Sequence, residues 1–156
     1  MNINFREMIY DNNNDKHIAV VLLNEFLNLK NSTEKLEIGV MDKINNLGFG
    51  KVYFCVDGDV VIGIALCFRG FSSYKQTELL NIHDFYIRSN YQGQGIGKKF
   101  LEYIEEECKK NGFCRITLEA YDDNPNAIKL YRKCGFVGSE TTDHDRLMYA
   151  MKKDLL

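Results

Sequence analysis

The run Tyr91-Gln92-Gly93-Gln94-Gly95-Ile96-Gly97-Lys98-Lys99 lies between an apolar stretch, Ile82 to Ile87, and a periodic segment, Phe100 to Lys110. That order predicts strand, glycine loop, helix. Glycine lets the backbone approach a ligand closely and take positive φ, while the first amides of a helix lack internal partners and carry the positive end of its dipole. The chemistry is anion binding, and a pyrophosphate would fit. Spacing narrows the ligand. A dinucleotide fingerprint beginning at Gly93 requires its third glycine at position 98, where Lys98 stands. A P-loop ending at Gly97-Lys98 requires glycine at position 92 and Ser or Thr at 99, where the chain has Gln92 and Lys99. What remains is Gln-x-x-Gly-x-Gly, from Gln92 through Gly95 to Gly97.

This hexapeptide resembles the pyrophosphate loop, Gln/Arg-x-x-Gly-x-Gly/Ala, of the GNAT superfamily of acyl-CoA-dependent N-acetyltransferases. The downstream stretch Asn124-Pro125-Asn126-Ala127-Ile128-Lys129-Leu130-Tyr131-Arg132-Lys133-Cys134-Gly135-Phe136 is similar to that family's second signature. There an Asn at a strand end precedes a short helix, a Tyr sits near its last turn and Gly-Phe opens the next strand. Upstream, His83-Asp84-Phe85-Tyr86-Ile87 falls where the spermidine/spermine branch has a Glu-Asp-Phe-Phe-Val type strand. The resemblance covers roughly residues 50 to 150.

The resemblance implies an α/β (α+β) fold, with a mixed, mostly antiparallel central sheet of six to seven strands flanked by about four helices as one domain over residues 1–156. Acetyl-CoA is the implied co-substrate, with no metal. Its implied contacts are Phe85, Tyr86, Ile87, Gln92, Gly93, Gln94, Gly95, Ile96, Gly97, Lys98, Asn124, Ala127 and Tyr131. Backbone groups of Phe85 to Ile87 would pair with pantetheine like an added strand, and an amide near Ile87 would serve the oxyanion. The expected reaction moves acetyl directly to a primary amine of a small cation such as a polyamine, diamine or amino acid. A protein lysine or N-terminal amine and an aminoglycoside are alternative acceptors. A non-catalytic acyl-CoA sensor is the reading from a different class. Related proteins often pair through sheet edges or C-terminal strands, so a homodimer is expected.

A lysine-like amine has a pKa of about 10.4, so its neutral form at pH 7 costs roughly 4.6 kcal/mol. A positioned general base therefore contributes, typically about 10²- to 10⁴-fold. His83 is the candidate, since an imidazole titrates near working pH. It stands where the family has a glutamate, and binding the acceptor, acting through water, or sitting buried in a hydrogen bond are open alternatives. Tyr131 is the candidate general acid by resemblance, because family members place this hydroxyl beside the cofactor sulfur; packing in its short helix is the alternative. Asn124 would bond pantetheine, cap the helix beginning at Pro125, or do both.

Composition sets bounds around this chemistry. At 156 residues, 45% hydrophobic and 27% charged, the chain suits one globular domain. Twenty Lys and Arg against twenty-two Asp and Glu give a formal charge of -2, which argues against general affinity for nucleic acid or anionic membrane. The N-terminal residues lack a basic start and apolar core, and no apolar run reaches a bilayer-spanning length, so a cytoplasmic protein is expected. Five cysteines form an odd set without a Cys-x-x-Cys pair, so neither a disulfide framework nor a zinc site is indicated.

The elements that must position these residues follow from periodicity. A strand fits Ile3 to Met8, and a helix carries Ile18, Val21, Leu22, Phe26 and Leu29 on a predicted core stripe. Ser32 is expected to cap a second helix bearing Leu36, Val40, Ile44 and Leu47, ended by Gly48. Asp57-Gly58 predicts a hairpin between Lys51 to Val56 and Val60 to Phe68. A polar loop at Ser72 to Thr77 leads to a strand at Leu79 to Ile87; another strand fits Cys114 to Ala120, and strands near Phe136 and Arg146 to Met151 close the domain. Polar loops at Ser72 to Thr77 and Gly138 to Asp145 are expected to select the acceptor.

Overall fold

The computed structural model describes residues 1–156. In chain order the elements are β1 (Ile3–Glu7), α1 (Asn13–Leu29), α2 (Gly39–Leu47), β2 (Gly50–Asp57), β3 (Val60–Ser72), β4 (Thr77–Ile87), a 3₁₀ turn (Ser89–Tyr91), α3 (Ile96–Lys110), β5 (Arg115–Tyr121), α4 (Pro125–Lys133), β6 (Val137–Asp143) and β7 (Arg146–Asp154). The seven strands are ordered β1-β2-β3-β4-β5-β7-β6. Pairs β1–β2, β2–β3, β5–β7 and β6–β7 are antiparallel, and β4–β5 is parallel. The chain divides into two compact units, Met1–Phe68 with Asp84–Gly93, and Arg69–His83 with Gln94–Leu156. No helix is long and apolar enough to cross a membrane.

The first unit packs α1 and α2 against β2, β3 and the end of β4 through Leu22, Leu23, Met41, Val52, Phe54, Ile64 and Tyr86. Each such side chain, fully buried, contributes about 1.5–3 kcal/mol relative to exposure. The stripe of α1 differs from the expected one: Val21 and Leu29 are exposed, and the buried face runs through Asp15, Ala19, Leu22 and Leu23. Positions 15, 19, 22 and 23 share one helical face, but the stripe begins with a carboxylate and so looks broken in sequence. Both oxygens of Asp15 accept from Arg6 at 2.8 Å, and Oδ2 also accepts from the Ile9 amide at 3.0 Å. Those Arg6 hydrogen bonds hold the Asp15 carboxyl below its ordinary range against the opposing effect of burial.

Ser32 does not cap α2. The helix starts at Gly39 with Ile38 as its N-cap, while the Ser32 hydroxyl accepts from the Glu34 amide in a turn. Asn24 explains the difference, because its side-chain amide bonds both backbone groups of Leu36 and holds that segment out of the helix. The hairpin turn is Gly58-Asp59 rather than Asp57-Gly58: Asp57 pairs with Val60, and Gly58 takes φ 58°. A register shift at Cys55/Val56 follows, and at Gly63 a side chain would meet the Tyr86 carbonyl oxygen at 2.9 Å. Glycine there allows the end of β4 to approach closely.

In the second unit, β5 pairs with β7 from Arg115↔Asp154 to Tyr121↔Met148, and β6 pairs with β7 from Val137↔Lys152 to Asp143↔Arg146. Gly138–Asp143 is thus strand, not the expected loop, and only the two-residue turn His144-Asp145 remains, both at positive φ. A Cβ at Gly138 would collide with the Ala150 carbonyl oxygen, so close strand approach requires the glycine. Ile96, Phe100, Ile104 and Cys108 recur every four residues as the buried face of α3. Its end is closed by Phe113 N–H to Cys108 O and Gly112 N–H to Lys109 O, with Gly112 at φ 73°, a Schellman motif.

Candidate functional site

The glycine loop forms as its sequence requires. Gly93 and Gly95 have φ 74° and 79°, Gly95 is the N-cap of α3, and the helix start has neither a side-chain cap nor an acidic residue in its first turn. A Cβ built on either glycine meets nothing within 4 Å. The glycines are therefore required by φ, and the side toward which a side chain would project is open to a ligand. A first turn with uncapped amides and no carboxylate suits an anion such as a diphosphate.

Gln92 anchors this loop in the first unit. Its side-chain amide donates to the Ile87 carbonyl at 2.7 Å, its backbone N–H donates to Ser89 O at 3.2 Å, and the Tyr91 hydroxyl donates to Asp57 Oδ2 at 3.0 Å. Behind the end of β4, Arg88 grips Glu25 of α1 through Nη2 at 2.8 Å and Nε at 3.1 Å, and the Tyr86 hydroxyl donates to the same carboxylate at 3.2 Å. Tyr86 also stacks on Phe26 with centroids 5.5 Å apart. The Tyr86 ring is thus engaged in packing, as its expected backbone role with pantetheine allows. Of the expected contacts, the first unit holds Phe85, Tyr86, Ile87, Gln92 and Gly93. No local sequence pattern announces the Glu25–Tyr86–Arg88 cluster, because Glu25 lies 61 and 63 residues from its two partners.

The second unit holds His83, Gln94 to Lys98, Asn124, Ala127 and Tyr131. His83 is exposed, which removes the buried alternative for it. The parallel register of β4 with β5 runs from Leu80↔Ile116 to Ile82↔Leu118. Asn124 caps α4, accepting from Ala127 N–H at 3.3 Å, and is otherwise exposed. Pro125 follows at the first helical position, where its missing N–H costs nothing. Lys98 lies 3.6 Å from Glu102 one helical turn on, so its charge is partly balanced on its own helix.

Tyr131 is 6% exposed and meets Phe136 at a centroid distance of 6.0 Å and 61°. Near them, a pocket of about 480 Å³ is lined by Lys98, Leu101, Glu102, Glu105, Glu106, Lys133, Cys134, Phe136 and Lys153. Burial pushes the Cys134 thiol above its ordinary value, which disfavours a thiolate nucleophile at neutral pH. All five cysteines are free, and no group of three or more His, Cys, Asp or Glu side chains is arranged to hold a metal.

The chain is 31% identical over 78 residues to the Thialysine N-epsilon-acetyltransferase of Bos taurus, an alignment covering 50% of this chain and 45% of that protein. The chain thus spans about half the length of such curated relatives. It is 27% identical over 139 residues to the Spermine/spermidine N(1)-acetyltransferase of Bacillus subtilis (strain 168), covering 87% and 88% of the two. Its fold is similar to a chain in a crystal structure of the NatC complex bound to Gag peptide and CoA, with TM-score 0.80, 21% identity and 100% of both chains covered. It is also similar to an aminoglycoside acetyltransferase from an uncultured soil metagenomic sample in complex with sisomicin, with TM-score 0.78, 18% identity and 91% and 93% covered. The family model for Acetyltransferase (GNAT) matches residues 12–136, and the chain belongs to that family.

Proposed function

We propose that the protein is an N-acetyltransferase that moves acetyl from acetyl-CoA directly to a primary amine of a small cationic acceptor, such as a polyamine, diamine or amino acid. The observation carrying this reading is the loop Gln92 to Lys98, where two positive-φ glycines with open space beside them lead into an uncapped helix start. Those features fit a diphosphate. The family match running from residue 12 to 136, through both compact units, supports treating residues 1–156 as one functional domain. The named relatives act on spermine, spermidine and thialysine, and their agreement favours an aliphatic amine over an aminoglycoside or protein amine.

In this reading Gly93, Gln94, Gly95, Ile96, Gly97 and Lys98 hold the diphosphate, and Asn124 and Ala127 hold the pantetheine arm together with the backbone of Phe85 to Ile87. Acetyl-CoA supplies an activated acetyl thioester. His83 removes a proton from the acceptor ammonium, directly or through water, leaving the lone pair that forms the new C–N bond. A backbone N–H near Ile87 donates to the oxyanion, an effect commonly worth about 3–4 kcal/mol. Tyr131 gives its phenolic proton to the departing sulfur as the C–S bond breaks, and the second proton of the attacking nitrogen, lost as the amide forms, returns to Tyr131 through solvent. Alignment of both substrates in one complex makes an acyl-enzyme unnecessary, and the raised Cys134 pKa agrees. A cytoplasmic homodimer is part of the same proposal, resting on family likeness.

The test is release of free CoA from acetyl-CoA across a panel of amines, comparing native protein with Tyr131→Phe. Turnover with polyamines or diamines, reduced about 10²-fold in the variant, supports the reading. Binding of acetyl-CoA without turnover on any amine would favour the acyl-CoA sensor instead.

A further inference from the structure

Tyr131 lies in the last turn of a nine-residue helix, where helices fray and a side chain needs outside support to keep one direction. The support comes from the two residues that end the helix. Gly135, at φ 90°, donates its N–H to Arg132 O at 3.0 Å, and Phe136 donates its N–H to the carbonyl of Tyr131 itself at 3.0 Å. This Schellman closure sets the second residue beyond the cap against the third from the helix end. Here those residues are Phe136 and Tyr131. Their rings stand 6.0 Å apart at 61°, an edge-to-face pair, and they are 3% and 6% exposed. A side chain at position 135 would be strained by its φ and would come within 3.3 Å of Lys153 Cε, so the closure depends on glycine.

We infer that Phe136 is a positioning residue for Tyr131: its ring and its backbone N–H together fix where the Tyr131 hydroxyl points. The inference rests on the proton-donor reading of Tyr131. A phenol that delivers a proton to a departing sulfur must be held in line with it, and small displacements of such a group reduce rate steeply. Aliphatic packing would keep the core filled without fixing the phenol plane.

Steady-state kinetics with acetyl-CoA and the best amine of the panel, on wild type, Phe136→Leu, Tyr131→Phe and the double variant, test this. Phe136→Leu keeps an apolar residue and the backbone bond but removes the ring. The expected result is a fall in kcat of about tenfold in Phe136→Leu with KM for acetyl-CoA unchanged, and no further loss when the same change is added to Tyr131→Phe. An equal loss in both backgrounds would show a general packing effect and overturn the inference, as would an unimpaired Phe136→Leu beside an impaired Tyr131→Phe. Wild-type kcat in Tyr131→Phe would instead locate the failure in the proton-donor reading, and the inference would fall with it. Should Phe136→Leu not fold, as judged by circular dichroism, Phe136→Met takes its place under the same criteria.

Discussion

Gly95 serves two physical requirements that substitution can separate. Its φ of 79° lies where an L side chain is strained, and the space beside it is open, with nothing within 4 Å of an added Cβ. Gly95→Ala therefore meets no steric obstacle within the protein itself, and its cost to the fold is backbone strain of about 1–2 kcal/mol. Asn tolerates the left-handed region better, so Gly95→Asn should cost the fold less. Either side chain projects into the space assigned to the diphosphate. Losing one hydrogen bond to a charged group costs about 1.5–3 kcal/mol, which is roughly 10- to 100-fold in Kd. Urea unfolding measures the first effect, and isothermal titration with CoA measures the second. Both variants should bind CoA weakly, whereas the Asn variant should be the more stable of the two. Recovery of wild-type affinity in Gly95→Asn would refute the reasoning, because strain alone would then explain the glycine.

Further perturbations probe the scaffold and the chemistry. Arg6 lowers the Asp15 pKa mainly through hydrogen bonding, so this stabilisation is complete above the unfolded-state value of about 3.9 and lost as pH falls through the lower folded value. The Asp15 side chain is 3% exposed while Arg6 is 42% exposed and can regain water, so Asp15→Asn should cost about 1.5–3 kcal/mol at pH 7. Urea titrations at pH 7 and at low pH should show that difference shrinking in acid; a constant difference would contradict the pairing. His83→Ala should lower the rate with the best amine of the panel by about 10²-fold and change its dependence on pH. An unaltered rate-pH profile would remove His83 from the mechanism.

The glycine loop was legible in sequence because it depends on neighbours within a few residues: Gly93 and Gly95 adopt the positive φ that their identity permits, and α3 starts at Ile96, directly after Gly95. The strand carrying Phe85 to Ile87 and the short helix after Pro125 were legible for the same reason. What escaped depends on partners far along the chain. Asp15 belongs to a buried stripe because Arg6 accompanies it, and the segment before α2 stays irregular because Asn24 binds Leu36. The stretch Gly138–Asp143 looked like a loop since its six residues are polar or small. It is an edge strand beside β7, largely exposed, and so never needed apolar alternation. His144 and Asp145 turn at positive φ without any glycine to announce them. Among site residues, the bond from Gln92 to Ile87 O was not visible, although Gln92 itself was singled out.

Calorimetric titration of folded protein with CoA and, separately, with pantetheine tests most directly the proposal that the Gln92 to Lys98 loop binds a diphosphate. Saturable binding of CoA in the range of about 1 μM to 1 mM, with pantetheine at least about tenfold weaker, is the predicted outcome. Absence of CoA binding, or equal affinity for pantetheine, would contradict the assignment of the Gln92 to Lys98 loop.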